Sequence, residues 1–234
     1  MKLEGYKTVC VVFGFLASFP VAKASSADDA GKSRSPTPPG ITVHQDIVYG
    51  RVHGAGLLAD IAFPNSNVPL PAIISVHGGR WVGGHKRDAS TINVEQWAGL
   101  GFFAMSIDYR LKGASPPPAC YQDLQCAIRF VHANAQKFNV DTKRIFLIGQ
   151  SAGGHMVSLA ATLGDGPYPR TGGWEKASND FRAAISVAAA YDLTTLDWGS
   201  LWTPPDTDAQ AAGAGLSHEA RGEGYETVAD PAFR

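Results

Sequence analysis

The sequence predicts an α/β fold: a mostly parallel sheet with helices on both faces and an antiparallel hairpin at its N-terminal side. Three observations carry that prediction. Ala72 to Val76, Phe102 to Ile107 and Ile145 to Ile148 are short, almost wholly apolar runs, interrupted by Ser75 and Ser106, as strands buried on both faces require. Helical segments alternate with them, which demands crossover connections and hence parallel pairing. Gly149-Gln150-Ser151-Ala152-Gly153 then marks a sharp passage from the last of these strands into a helix.

Residues 2 to 24 read as an export signal. Lys2 and Lys7 flank an apolar stretch from Val9 to Phe19, and Ala22-Lys23-Ala24 supplies small residues for cleavage. That stretch is shorter than the ~20 residues of a spanning helix. The expected product is therefore secreted or periplasmic, begins near Ser25 and has no stable membrane anchor. Residues 25–40, rich in Ser, Asp, Pro and Gly, read as a flexible leader.

The core is expected over 41–193. Ile41 to Tyr49 and Leu57 to Phe63 form the hairpin, turning around Gly54 and Gly56. Ala72 to Val76 is the first central strand, and a glycine-dense loop from His77 to Asp88 follows it. Ile92 to Leu100 is a helix ended by glycines, and Phe102 to Ile107 the next strand. Pro116-Pro117-Pro118 precedes a long helix whose Leu124, Ile128, Val131, Ala135 and Phe138 share one face. Ile145 to Ile148 is a strand, Ala152 to Leu163 a helix and Ala183 to Ala190 a strand. Residues 194–234 are polar and weakly periodic, as in an insertion or a partly ordered tail.

With 20 basic and 21 acidic residues the net charge is −1. No global field draws the chain to nucleic acid, and the expected partner is a small, weakly charged molecule. Three cysteines, one of them (Cys10) in the export-signal stretch, make no disulfide framework. Cys120 and Cys126 on one helix would point apart, and a bridge would require Cys120 to precede the helix.

The glycines flanking Ser151 allow a serine to stand exposed on a tight turn, which makes it the candidate nucleophile. The following helix turns backbone N–H groups and positive dipole towards a developing anion, with the Ala152 N–H as the first donor. His77-Gly78-Gly79-Arg80-Trp81 follows a central strand. Successive glycines let that backbone approach a substrate, so Gly79 and Arg80, with Gly78 as an alternative, are the second set of oxyanion donors. A tight turn with an incidental His-Gly-Gly is the competing reading of the loop taken alone.

The two motifs, His77 to Trp81 and Gly149 to His155, resemble those of α/β-hydrolases in the branch of bacterial feruloyl-esterase-like and hormone-sensitive-lipase-like carboxylesterases. Ser106 to Leu111, Cys126 to Arg129, Asn134-Ala135 and Asp141 to Arg144 support the resemblance, which covers Ile41 to Leu193. It implies a serine esterase acting on a small-molecule or carbohydrate ester, such as acetyl or feruloyl groups of plant polysaccharide, with no metal or cofactor. An aryl-formamidase or a peptidase of the same fold, or a non-catalytic relative, is the alternative.

The resemblance also implies a carboxylate and a histidine after Ser151, in that order, following the seventh and eighth strands. Neither strand is read after Ala190, so the triad acid and base are expected to be missing from this sequence. Of the seven histidines, only His155 and His218 follow Ser151. His155 lies one helical turn beyond the serine and reads as packing beneath it. His218 and Asp192 are the remaining base and acid candidates; for each, a loop or turn role is the competing reading.

Overall fold

A computed structural model of the chain describes Thr8–Val12 and residues 40–191. All of the leader at 25–40 except Gly40, the tail at 194–234, and Asp192 and His218 lie outside the described residues.

Strands β1 (Thr8–Val12), β2 (Ile41–Val52), β3 (Ala55–Pro64), β4 (Leu70–Val76), β5 (Phe103–Ile107), β6 (Val140–Gln150) and β7 (Ala183–Val187) form one sheet. Their order is β1-β7-β6-β4-β5-β3-β2. The pairs from β1 through β5 are all parallel, and the β2–β3 hairpin joins β5 antiparallel. The expected sheet and hairpin are both present. His53 (φ 48°) and Gly54 (φ 84°) make a two-residue turn with both φ positive, the form whose twist matches that of paired strands.

Alternation along the strands divides the core between the two faces. Ala62, Ile73 and Ala104 meet Val94 and Ala98 of α1 (Val94–Gly99) on one face. Ile61, Ile74, Met105 and Leu147 face the other way, into the cluster containing Leu124 and Ile128 of α2 (Ala119–Ala133) and Met156 and Val157 of α3 (Ala152–Leu163). Among the described residues no helix is long and apolar enough to cross a membrane.

Several boundaries differ from expectation. Helix α1 begins after Asn93, whose side-chain oxygen accepts the Gln96 N–H at 3.0 Å, so Ile92 stays outside. Helix α2 stops at Ala133, where the Asn134 side chain donates to the Phe130 carbonyl at 2.8 Å. Ala135 and Phe138 therefore lie beyond the helix whose face they were expected to continue. Phe138 still enters the core, its ring 5.1 Å from that of Phe103. Strand β7 ends at Val187, before Ala188 turns to φ 49°. Cys120 lies within α2, and it and Cys126 are buried free thiols, pushed up by burial to about 12 and about 11.

Candidate active site

Ser151 occupies the single residue between β6 and α3, with φ 54° and ψ −116°. L-residues rarely adopt such a backbone, and surrounding structure must hold it in place. Here the Ser151 N–H donates to the Val187 carbonyl at 2.8 Å and its carbonyl accepts the His155 N–H at 2.9 Å. A Cβ on Gly149 would collide with the Gly153 backbone, and one on Gly153 with the Val76 carbonyl. Both glycines are required because three backbone segments meet at the turn.

The loop after β4 lies directly against this turn. A Cβ at Gly78 would sit 3.4 Å from that of Ser151 and 3.1 Å from the Gln150 carbonyl. Gly79, Arg80 and Trp81 follow with φ of 105°, 56° and 62°, a run of left-handed residues that curls the loop. The Gly79 carbonyl accepts N–H groups from Val82 at 3.1 Å and Gly83 at 3.0 Å, closing the curl. Ser151, Ala152, Gly78, Gly79 and Arg80, predicted from separate motifs, are thus drawn from neighbouring segments. Gly78 is already engaged: its N–H donates to Ser90 Oγ at 3.0 Å.

Sequence reasoning overlooked the supports of this loop. His77 is buried; its Nδ1–H donates to the Gly78 carbonyl at 2.6 Å, and its ring stacks on Tyr109 with centroids 4.1 Å apart. The Tyr109 hydroxyl reaches the carbonyls of His77 at 3.2 Å and Gly78 at 3.3 Å. Ser90 sits on a segment anchored by ion pairs, Lys86 to Asp108 at 2.6 Å and Arg87 to Asp60 at 2.5 Å. Tyr109 and Asp108 belong to the Ser106 to Leu111 stretch noted for its resemblance, to which no role could be given from sequence.

Burial lowers the His77 pKa from its ordinary 6.5, so the folded loop holds a neutral imidazole. Below that ordinary value the unfolded chain takes up a proton that the folded state resists, and stability is lost as pH falls from it towards the lower folded value. Melting temperature followed downward from about pH 7 is expected to drop more steeply for the wild type than for His77→Gln.

The other histidines have separate engagements. His155 packs edge-on against Trp81, centroids 5.3 Å apart, in agreement with its reading as a residue beneath the elbow. His132 contacts the Asp180 carbonyl, His85 pairs with Asp88 and His44 stacks on Phe63. A cavity of about 180 Å³ adjoins the elbow, lined by Ser75, Ser90, Ile92, Gln150 and Val187 among others. A larger one, about 520 Å³, lies over the ion-paired segment at Lys86, Arg87 and Glu95. The smaller one is also lined by Gly149 of the elbow, while Ser151 and Gly78 to Arg80 are not among its lining residues. Among the described residues no cluster of His, Cys, Asp or Glu is arranged to hold a metal ion.

Comparison with known proteins fits this geometry. Residues 59–215 match the protein family described as BD-FAE. The probable carboxylic ester hydrolase LipM of Mycobacterium tuberculosis is 31% identical over 153 residues, covering 64% of this chain and 35% of that protein. Esterase LipC of the same organism is 32% identical over 124 residues, covering 53% of this chain and 31% of LipC. The chain spans about a third of the length of these relatives. Among solved structures, the butyrate-bound esterase Est2 of Thermogutta terrifontis superposes with a TM-score of 0.56 at 26% identity, covering 81% of this chain and 66% of that one. A bifunctional GH43-CE protein of Bacteroides eggerthii gives 0.57 at 27% identity, covering 66% of this chain and 22% of that one.

Proposed function

We propose that this chain, which belongs to the BD-FAE family of α/β-hydrolases, is a secreted or periplasmic serine carboxylesterase. Ser151 is the nucleophile, and the observation that carries the reading is its strained turn lying against the glycine loop. Its Oγ attacks the ester carbonyl, and the N–H groups of Ala152, Gly79 and Arg80 receive the charge that develops on the carbonyl oxygen. The Ser151 hydroxyl proton passes by way of a base to the alcohol as it leaves, and water then releases the acid from the acyl-serine and returns a proton to Ser151 Oγ. Because the Gly78 N–H is held by Ser90 Oγ, Gly78 shapes the loop in this mechanism and the next two residues donate. A solved neighbour described as a carbohydrate esterase from gut microbiota supports reading the substrate as a carbohydrate ester, such as an acetyl- or feruloyl-type ester of a plant polysaccharide.

The proton acceptor is a separate matter. Among the described histidines, His44, His77, His85, His132 and His155 are engaged in packing, loop support or surface contacts, His53 stands in the β2–β3 turn, and the sequence candidates Asp192 and His218 lie outside the described residues. We therefore expect little normal turnover from these 234 residues, with residual rates of roughly 10³ to 10⁴ over water from the oxyanion hole and binding. The purified chain and Ser151→Ala are compared with a fluorophosphonate probe and p-nitrophenyl acetate. Labelling confined to the wild type supports Ser151 as nucleophile; equal labelling of both overturns it. Fast turnover that disappears in Ser151→Ala would place a working base within the chain and bring Asp192 and His218 forward.

A further inference from the structure

The segment from Lys86 to Glu95 walls the larger cavity, of about 520 Å³, with Gln45 of β2 and Asp60 of β3 lining it from the sheet. That volume falls in the range of small-molecule sites, roughly 300–1,000 Å³. Its polar side chains are held in place. Arg87 grips the buried Asp60 carboxylate with Nε at 2.5 Å and Nη2 at 2.9 Å, and Nη2 also reaches Asp46 at 2.9 Å. Lys86 Nζ is shared between Asp46 at 2.9 Å and Asp108 at 2.6 Å. Thr91 Oγ1 donates to the Asp88 carbonyl at 2.7 Å, and Asn93 Oδ1 accepts the Gln96 N–H at 3.0 Å.

These bonds select the class of ligand. Both cations of the wall are matched by carboxylates, so an anionic ligand would have to displace Asp46, Asp60 or Asp108 from pairs already made. Asp60, Asp88 and Glu95 also outnumber Lys86 and Arg87 in the lining. No aromatic ring lines the cavity, and its apolar share is Ala89, Ile92 and Val94, which does not suit a large acyl or aromatic group. What the wall offers is hydrogen bonding from fixed positions. Arg87 Nη1 and Asn93 Nδ2 stand outside the bonds above as donors, while Asp60 Oδ2 and Thr91 Oγ1 keep lone pairs as acceptors. Donors and acceptors set side by side match a ligand whose groups each do both, as hydroxyls do.

The cavity is joined to the elbow through its wall. Ala89, Thr91 and Ile92 line both this cavity and the smaller one beside Gly149. Among them stands Ser90, whose Oγ holds the Gly78 N–H. A ligand seated here lies one loop segment from the elbow.

We propose that this cavity is a carbohydrate subsite, taking uncharged sugar units of the polysaccharide whose ester is presented to Ser151. The link to Ser151 rests on the carbohydrate-ester reading; sugar binding by the cavity does not. Arg87 and Asn93 donate to sugar hydroxyls, Asp60 and Thr91 accept from them, and the ion pairs hold the wall ready before the sugar arrives. Binding of sugar units beyond the esterified one then contributes to orienting the ester at the reacting centre.

Xylotetraose and cellotetraose, which carry neither ester nor charge, are titrated into isotope-labelled full chain while backbone amide signals are followed. Saturable shifts centred on residues 86–95 are expected, with tetragalacturonate binding roughly tenfold more weakly or worse because its carboxylates meet those of the wall. Asn93→Asp keeps the helix cap, since aspartate accepts the Gln96 N–H equally well, and removes the Nδ2 donor. It should weaken sugar binding roughly tenfold at an unchanged melting temperature. The subsite is overturned by no saturable shift with either neutral sugar, by shifts centred elsewhere, by tetragalacturonate bound as tightly, or by unchanged affinity in Asn93→Asp. If that variant does not fold, the location of the shifts in the wild type decides. Fluorophosphonate labelling of the same protein separates the two readings. Ser151 labelled without sugar binding keeps the esterase and removes the subsite; sugar binding without labelling keeps the sugar site and removes the esterase.

Discussion

Gly153→Ala is expected to lower the melting temperature by about 4–8 °C and to slow fluorophosphonate labelling of Ser151. An added methyl would lie 2.6 Å from the His77 carbonyl oxygen and closer still to that of Val76. Both obstacles are backbone at the end of the central strand β4, so no side chain can swing aside. Overpacking of this kind costs ~3 kcal/mol. Alanine's better helix propensity returns ~1 kcal/mol, and the net ~2 kcal/mol corresponds to that shift for a domain of this size. The clash is relieved by drawing α3 away from β4, which carries Ser151 away from the Gly78 loop. Gly99→Ala is the control: it lies in α1, its added methyl meets nothing within 4 Å, and it should be neutral or stabilising. Equal melting shifts in the two variants, or unchanged labelling in Gly153→Ala, would defeat the close-approach argument.

The features legible in the sequence were those written in local pattern. Predominantly apolar runs located β4, β5 and β6, and glycine spacing around Ser151 located the strand-to-helix turn, because steric need at Gly149 and Gly153 leaves a residue-level mark. The helix after the prolines was overextended for a physical reason: Phe138 is a core residue at helical spacing, yet it packs from the turn that follows α2. Periodicity reports burial and cannot say which backbone delivers it. The supports of the glycine loop left no comparable trace. Ser90 and Tyr109 act on Gly78 across 12 and 31 positions, through one hydroxyl each, and nothing in either one's neighbours distinguishes it from an ordinary loop residue. The apolar stretch near the N-terminus shows the same ambiguity, since β-branched residues suit both an export signal and an edge strand.

The buried pair between Arg110 and Asp123 gives the second large effect. The Asp123 side chain is 1% exposed on α2. It accepts the Arg110 backbone N–H at 2.7 Å, Nη2 at 2.7 Å and Nε at 3.0 Å. Burial nevertheless raises its pKa above the usual carboxylate range, with the Arg110 bonds opposing the rise. A carboxyl whose folded pKa is raised is protonated more readily in the folded state. Its contribution to stability is complete below the unfolded value and is lost as pH rises through the folded one. Arg110→Met removes the opposing guanidinium and leaves a carboxylate that only one backbone N–H from residue 110 still serves. Breaking a buried pair on one side costs ~3–5 kcal/mol, or roughly 6–20 °C in melting temperature, and the loss should be larger at about pH 8 than at about pH 5. Arg110→Met with Asp123→Leu removes both charges and should recover much of the difference, because the cost lies in stranding a charge rather than in lacking the pair. A single variant whose melting temperature is insensitive to pH, or a double variant no better than the single, would show that Asp123 is not held as a buried carboxylate.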